Sequence, residues 1–497
     1  MTRPRPAAEA GWLYGPWGVL AAVALLTAWR LWQLSLNDLT LFFDEAQYWT
    51  WAKAPAFGYF SKPPVVAWLI AATTAVCGNG EACIRAGSPL VHGGTALVVY
   101  AIATYLFDRR TGFWSALSFA LLPGVSFSAG IISTDVPLLF FWALATLCFA
   151  RAIEAGGRGW WLACGAAVGF GLLAKYTMVL FLPCAGLYLL LTPGQRRRLR
   201  DFAPWTGLLL AGLIYLPNLV WNARHHFVSF QHTAANANLG GPLFNPGQLL
   251  EFFGAQFGVF GPLMFAALLW LVLARRHLVR AEPLRLLLWL SLPVLALMLA
   301  ESLLSRAHAN WAAVTYVGAT VAVVGWLLRA GRPGLIYASL VLHLALAGVL
   351  YNFDALARSF AFELPAKQDP FRRVRGWDVL GDEVRAILQA HPGAVLLADE
   401  REHLVELMYY ARPQAGNAVK WNPTGVIHDH YDLTTDINRV GGHDFILVTR
   451  QPGAGGIPSH FRQARRLPDL DVPVRKGYHL HYEVYLLSGF LGYDRQR

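Results

Sequence analysis

The chain has 497 residues, of which 56% are hydrophobic and only 14% charged, with 19 Trp, a formal net charge of +11 and a mean hydropathy of +0.40. Apolar residues recur in runs of about membrane-spanning length, roughly 20 residues each, which excludes an ordinary soluble protein and predicts a polytopic membrane protein. The positive balance does not indicate nucleic acid, because the arginines fall in short clusters between apolar runs: Arg109-Arg110, Arg196 to Arg200, Arg275-Arg276 with Arg280, and Arg329 with Arg332. That is the positive-inside pattern, and it predicts that these clusters lie in cytoplasmic loops.

In chain order, a cytoplasmic Met1-Thr2-Arg3-Pro4-Arg5 start leads into eleven expected spans, at roughly 16–36, 87–107, 113–128, 136–152, 160–174, 176–192, 203–221, 250–273, 284–302, 311–328 and 334–351. The first run has no small-residue cleavage site and leads straight into a polar loop, so it reads as a span and not as a signal peptide. Val65 to Cys77 is apolar but too short to cross, and crossing would put Arg109-Arg110 on the wrong side; a juxtamembrane helix is expected there. Gly-rich runs such as Gly165 to Gly171 lie inside spans and predict close helix packing. Five cysteines occur, none after Tyr351. Cys77 and Cys83 are the only pair near the outer face, and free thiols are expected there.

After Tyr351 the composition changes. A linker is expected at 352–368, separating a transmembrane catalytic domain at 1–351 from a soluble α/β domain at 369–497. In the latter, helical patterns (Val379 to Ala390, Glu402 to Ala411) alternate with strand-like runs (Ala394 to Ala398, Phe445 to Thr449, Glu483 to Leu487). Eleven crossings from an inside start put this segment outside.

No P-loop, HExxH, CxxC or post-strand GxGxxG occurs in the sequence, so nucleotide hydrolysis and zinc proteolysis are not indicated. What remains is a set of polar residues that the expected topology gathers on the outer side. Asp44, Glu45, Lys53 and Lys62 belong to the first outer loop, and Asp135 to the turn between the third and fourth spans. Lys175 sits at the next outer turn, Arg224-His225-His226 follows the seventh span, and Arg306-Ala307-His308-Ala309-Asn310-Trp311 follows the ninth. Each has a plainer reading. Lys62 could snorkel, Asp135 could cap a helix before Pro137, Lys175 could anchor at the interface, and Arg224 could be solvated. The adjacent acids Asp44-Glu45, and three polar side chains at alternate positions 306, 308 and 310, are harder to explain without a ligand.

The Asp44-Glu45 pair in the first external loop resembles the GT-C glycosyltransferases, as do the Tyr59-Phe60-Ser61-Lys62-Pro63-Pro64 turn before a short helix and Asp135 at the third-to-fourth span turn. The likeness is strongest over 38–180 and points to the bacterial lipid A aminoarabinose transferases and the protein O-mannosyltransferases. It implies a GT-C type α-helical polytopic fold of about eleven transmembrane helices plus juxtamembrane helices, with the C-terminal soluble α/β domain. It also implies a monomer in the bacterial inner membrane, with site and C-terminal domain facing the periplasm. The implied activity is inverting transfer of a sugar from a polyprenyl (undecaprenyl) phosphate to lipid A, a core or O-antigen glycan, or a protein. The family's first-loop Asp maps to Asp44, its Lys to Lys62 and its second acid to Asp135.

That chemistry suits the residues. Asp44 would take the acceptor proton, Glu45 or Asp135 would orient the acceptor, and Lys62, Arg306 and Lys175 or Arg224 would neutralise the departing lipid phosphate. Tyr48, Tyr59, His308 and Asn310 would complete substrate binding. No cofactor is required, although a divalent metal ion between Asp44, Asp135 and the phosphate is an option. A single base with no carboxylate nucleophile suits inversion. The rivals are a flippase or transporter of lipid-linked sugars, which would place its charges near the midplane between repeats, and a membrane-anchored binding module.

Overall fold

The computed structural model describes residues 11–236, 243–274, 282–360 and 365–493. The expected cytoplasmic start Met1 to Arg5 and the cluster Arg275, Arg276 and Arg280 lie outside these described residues. By internal contacts the chain forms two compact units: Met1–Leu36, Ala56–Gly58 and Lys62–Phe353 make the first, and Asn37–Pro55, Tyr59–Ser61 and Asp354–Arg497 the second. The second unit thus takes in most of the loop that follows the first long helix.

The first unit is a helical body. Among the described residues six helices are long and apolar enough to cross a membrane: Pro16–Ser35, Glu81–Leu106, Asp135–Ala155, Phe202–Arg224, Leu284–Leu304 and Pro333–Tyr351. A seventh span is available if Pro246–Val259 and Pro262–Ala274 count as one, although they meet at 114°. Eleven uninterrupted spans were expected, and four of the expected ones are shorter or broken. The run at 113–128 is Arg109–Leu121 followed by Pro123–Ser128, because Leu122 is extended before a proline that lacks an N–H to continue the helix. Arg30, 3% exposed on the first helix, satisfies this break: its Nη2 donates to the Ala120 carbonyl at 2.5 Å and to Ser126 Oγ at 3.1 Å. The run at 250–273 bends at Gly261, whose φ of +86° favours glycine. That at 176–192 opens with a 3₁₀ turn, Tyr176–Leu180, before Phe181–Leu191, and that at 311–328 is helical only from Thr315 to Arg329.

Close packing at the glycine run is as expected. A Cβ on Gly165 would collide with the Gly207 backbone, and one on Gly169 would sit 2.8 Å from Ile214 Cβ and 3.0 Å from the Ala211 carbonyl. The Arg158–Ala174 and Phe202–Arg224 helices therefore approach at backbone distance.

Val65–Cys77 is a single 13-residue helix. The expectation of free thiols beside it is corrected: Cys77 and Cys83 form a disulfide. Cys77 ends this helix, Gly78 (φ +86°) reverses the chain, and Gly80 caps the helix beginning at Glu81. This tight return brings the two Cα atoms to 5.8 Å, within disulfide reach.

In the second unit, six strands form one sheet: β1 (Val395–Ala398), β2 (Val419–Lys420), β3 (Phe445–Thr449), β4 (Phe461–Arg466), β5 (Leu470–Arg475) and β6 (Tyr478–Phe490). The order is β2-β1-β3-β6-β4, with β5 on the first half of β6. β1 is parallel to β2 and β3 (Leu397 opposite Val419, Leu396 opposite Ile446), whereas β6 runs antiparallel to β3 and β4. β1 and β3 are buried at every position, as parallel strands covered on both faces must be. The Trp377–Ala390 helix buries Leu380, Val384 and Leu388, an apolar stripe at intervals of four. Gly381 lets it lie against Tyr410 of the Arg401–Tyr410 helix. That second helix follows β1 directly and carries the chain to the site.

Candidate active site

The two acids that follow the first long helix open the helix Phe43–Ala52. Acids are favoured in a first helical turn by the exposed N–H groups, and Glu45 uses the position locally. Its Oε2 accepts the Phe42 N–H at 3.0 Å, and the residue is 2% exposed. Glu45 therefore holds the helix start.

The helix is fixed to the C-terminal part of its own unit. The Leu41 N–H donates to Tyr410 Oη at 2.6 Å, Thr50 Oγ1 and Tyr431 Oη share a hydrogen bond of 2.8 Å, and Trp49 meets Tyr409 edge-on at 4.9 Å. Asp44 gains a partner there that sequence reading missed. Arg401 Nη1 donates to Asp44 Oδ1 at 3.1 Å and to Gln47 Oε1 at 2.7 Å, with its guanidinium carbon 4.7 Å from the centre of the Phe43 ring. Asp44 Oδ2 makes no hydrogen bond to a described residue, and the Asp44 side chain is 39% exposed.

Tyr48 and Tyr59, expected as substrate ligands, are buried aromatic residues of this unit. Tyr48 packs against Trp51 at 5.2 Å. Tyr59 stacks on Trp51 at 4.5 Å, and its hydroxyl donates to the carbonyls of Trp51 (3.0 Å) and Ala54 (3.2 Å). Both are buried, and the Tyr59 hydroxyl is taken up by backbone carbonyls.

The first unit holds the remaining candidates. Asp135 is the first residue of the Asp135–Ala155 helix, but the cap position is Thr134 and no side chain caps it. The plain capping reading is thereby replaced: Asp135 Oδ1 accepts from Lys175 Nζ at 2.7 Å, and Oδ2 accepts from Asn310 Nδ2 at 2.7 Å. Residues from three separated segments thus converge on one nearly buried carboxylate. Lys175 is delivered by the end of the Arg158–Ala174 helix, where its extended backbone breaks the helix before the 3₁₀ turn.

Arg306, His308 and Asn310 are all exposed, and His308 lies edge-on to Trp311 at 5.1 Å. Partial burial, then the charges of Arg306, Lys175 and Lys62, holds the His308 imidazole below its ordinary pKa. The four residues therefore share one electrostatic neighbourhood, in which partial burial and nearby cations disfavour the charged imidazolium. Arg224 ends the Phe202–Arg224 helix, is exposed, and forms no ion pair among the described residues.

The metal option fits poorly. Among the described residues no group of three or more His, Cys, Asp or Glu side chains could hold a metal ion. Asp44 and Asp135 each face a cation, Arg401 and Lys175, that would compete with a divalent ion for the carboxylate.

Arg401 stands in Asp399-Glu400-Arg401-Glu402, a charged run directly after the expected strand Ala394 to Ala398, and only the parallel pairing of that strand, seen in the structure, marks its carboxyl end as a place where ligands collect. Gln47 carried no signal beyond standing one helical turn after Phe43.

Comparison with known proteins matches the chain to one family, to two relatives and to two solved structures. A profile of the family described as dolichyl-phosphate-mannose-protein mannosyltransferase matches residues 61–221. The lipid A galacturonosyltransferase RgtD of Rhizobium johnstonii is 33% identical over 83% of this chain and 86% of that protein. An undecaprenyl phosphate-alpha-4-amino-4-deoxy-L-arabinose arabinosyl transferase of Pseudomonas savastanoi pv. phaseolicola is 32% identical, but over 25% of this chain and 24% of that protein. In structure, ArnT of Cupriavidus metallidurans bound to undecaprenyl phosphate superposes with a TM-score of 0.64 at 16% identity, covering 96% of this chain and 98% of that one. The apo form gives 0.63.

Proposed function

The chain belongs to the GT-C superfamily of polyprenyl-phosphate-sugar glycosyltransferases and is a multi-pass protein of the bacterial inner membrane, and from that premise we propose that it transfers a hexuronosyl group from undecaprenyl phosphate to lipid A on the periplasmic face, with inversion. The observation that carries the choice of sugar and acceptor is the extent of likeness to the lipid A galacturonosyltransferase, which runs through both compact units, whereas that to the aminoarabinose transferase covers a quarter of the chain. Each relative reported above is a transferase, so the transporter and binding-module readings have no support.

The residues divide the labour. Asp44 is the general base: with Oδ1 held by Arg401, Oδ2 is the oxygen left to take the acceptor proton as the hydroxyl attacks the anomeric carbon. The bond from that carbon to the lipid phosphate breaks, and the phosphate leaves with the electron pair. Lys62 and Arg306 neutralise its developing charge. His308, whose charged form is disfavoured among these cations, is suited to hydrogen bonding a sugar hydroxyl or phosphate oxygen. Lys175 is compensated by Asp135, and this pair with Asn310 orients substrate without contributing net charge. Arg224, Glu45, Tyr48 and Tyr59 have no role in the chemistry.

Mass spectrometry of lipid A from cells with and without the gene tests the assignment. Loss of a hexuronic acid substituent in the deletion strain is expected. Loss of an aminopentose, or an unchanged lipid A, would overturn it.

A further inference from the structure

The C-terminal unit has been described so far as a partner of the loop that follows the first long helix without a function of its own. The contacts reach further. The first-loop segment is built into it by backbone and side-chain hydrogen bonds: Thr40 N–H to the Val374 carbonyl at 3.0 Å, Leu41 N–H to Tyr410 Oη, and Thr50 to Tyr431. Asp44 thus stands on a surface supplied by residues more than three hundred positions later.

Arg401 occupies a special place on that surface. It is the first residue of the helix that leaves the carboxyl end of β1, the edge of a parallel sheet where binding residues collect. Its guanidinium is held on two sides. Nη1 is shared between Asp44 Oδ1 and Gln47 Oε1, and the Phe43 ring underlies the plane. Gln47 is 1% exposed, so it cannot swing aside and the fork is fixed from the protein side. On the helix Phe43–Ala52, Gln47 lies one turn after both Phe43 and Asp44, at intervals of four and three, and so neighbours each of them. A simple surface ion pair would have none of this surrounding order and would contribute little.

We propose that Arg401 is a positioning residue of the glycosyl transfer reaction. Together with Gln47 it fixes the Asp44 carboxylate so that Oδ2 is presented to the acceptor hydroxyl, and the C-terminal segment thereby supplies a residue that positions the base. This rests on Asp44 being the base. A carboxylate free to rotate would spend most of its time misaligned, and misplacement of a reacting group by about 1 Å is enough to cost on the order of 100-fold in rate.

The test uses the full-length purified enzyme and the variants Arg401→Gln, Arg401→Lys, Asp44→Asn and the double variant Asp44→Asn/Arg401→Gln, with Arg439→Gln as an exposed control in the same unit. Turnover, donor KM, affinity for undecaprenyl phosphate and the thermal midpoint are measured for each. Arg401→Gln is expected to lower kcat by roughly 10–100-fold with donor KM, product affinity and midpoint unchanged. Arg401→Lys should recover part of the loss, and Arg401→Gln should cost nothing further in the Asp44→Asn background, because the group it positions is gone. An unchanged kcat, an undiminished loss in the Asp44→Asn background, or a loss tracking a lowered midpoint would overturn the proposal. Near-normal turnover of Asp44→Asn alone would instead overturn the assignment of the base, so the two failures are distinct.

Discussion

Asp44 and Asp135 show how differently two carboxylates can be used. Asp135 has both oxygens committed, to Lys175 and Asn310, whereas Asp44 has one oxygen tied to Arg401 and a side chain that is 39% exposed. Only the second arrangement leaves a proton acceptor. Asp44→Asn should keep donor affinity and lower turnover by about 100-fold or more, measured on purified enzyme; near-normal turnover would remove it from the role. Lys62 and Arg306 are expected to grip the phosphate that donor and lipid product share. Replacing either by Ala should weaken binding of undecaprenyl phosphate by roughly 1.5–3 kcal/mol, read by a direct binding assay, and unchanged affinity in both variants would place them outside the site. Asp44, Lys62 and Asp135 stood out in the sequence as candidates because charge beside a membrane span is costly and therefore conspicuous. Arg401 did not, since it stands in a charged segment where one more arginine is unremarkable and its partner is hundreds of residues away. The burial of Tyr48 and Tyr59 was not legible, because an aromatic residue beside a motif has the same sequence appearance whether it faces a substrate or a core.

Among the elements, the sequence pattern marked straight apolar helices well and breaks poorly. Pro123 and Gly261 interrupt runs whose hydropathy is continuous, so a window average passes over them. In the second unit the helix stripe of Leu380, Val384 and Leu388 and the buried strands β1 and β3 were legible. β4 was not, because five of its six residues are exposed and it reads as a polar stretch. Two histidines give this unit a dependence on pH. Burial, then repulsion from Arg450, brings His403 down to about 3, and burial, against an opposing pull from Asp429, brings His430 down to about 4. The unfolded chain takes up protons on both near 6.5 and the folded chain does not, so the unfolded state binds more protons between these values. Stability is then full above about pH 6.5 and falls as pH drops toward 4, with a slope of up to ~1.4 kcal/mol per pH unit for each histidine. Thermal unfolding of the full chain from pH 8 to 4.5 should show this decline, and His403→Gln/His430→Gln should flatten it; an equal decline in the double variant would assign it elsewhere. In the helical unit, Gly165→Leu should disrupt the contact with Gly207 and cost about 1–3 kcal/mol by overpacking, visible as a lowered thermal midpoint.

For the whole molecule, the compact units do not follow the linear sequence. Composition changes at Tyr351, yet Asn37–Pro55 belongs with the C-terminal segment, an arrangement that no local pattern announces because it depends on tertiary docking. Its functional consequence under the proposal is that the base and the domain that holds it must be on the same side of the membrane. Single cysteines at 110, 198 and 400, in a background without the native five, can be labelled with an impermeant thiol reagent on cells with a permeabilised outer membrane. Position 400 should react while 110 and 198 stay protected; protection at 400 would put Asp44 on the cytoplasmic side. The central claim is the transfer itself, and the most direct measurement is reconstitution of purified enzyme with undecaprenyl phosphate-linked galacturonic acid and lipid A, followed by determination of the anomeric configuration of the product. The expected result is a galacturonosyl lipid A of configuration opposite to the donor, formed by the wild type and reduced on the order of 100-fold in Asp44→Asn. Retention of configuration, or transfer undiminished in that variant, would contradict a single-displacement reaction with Asp44 as its base.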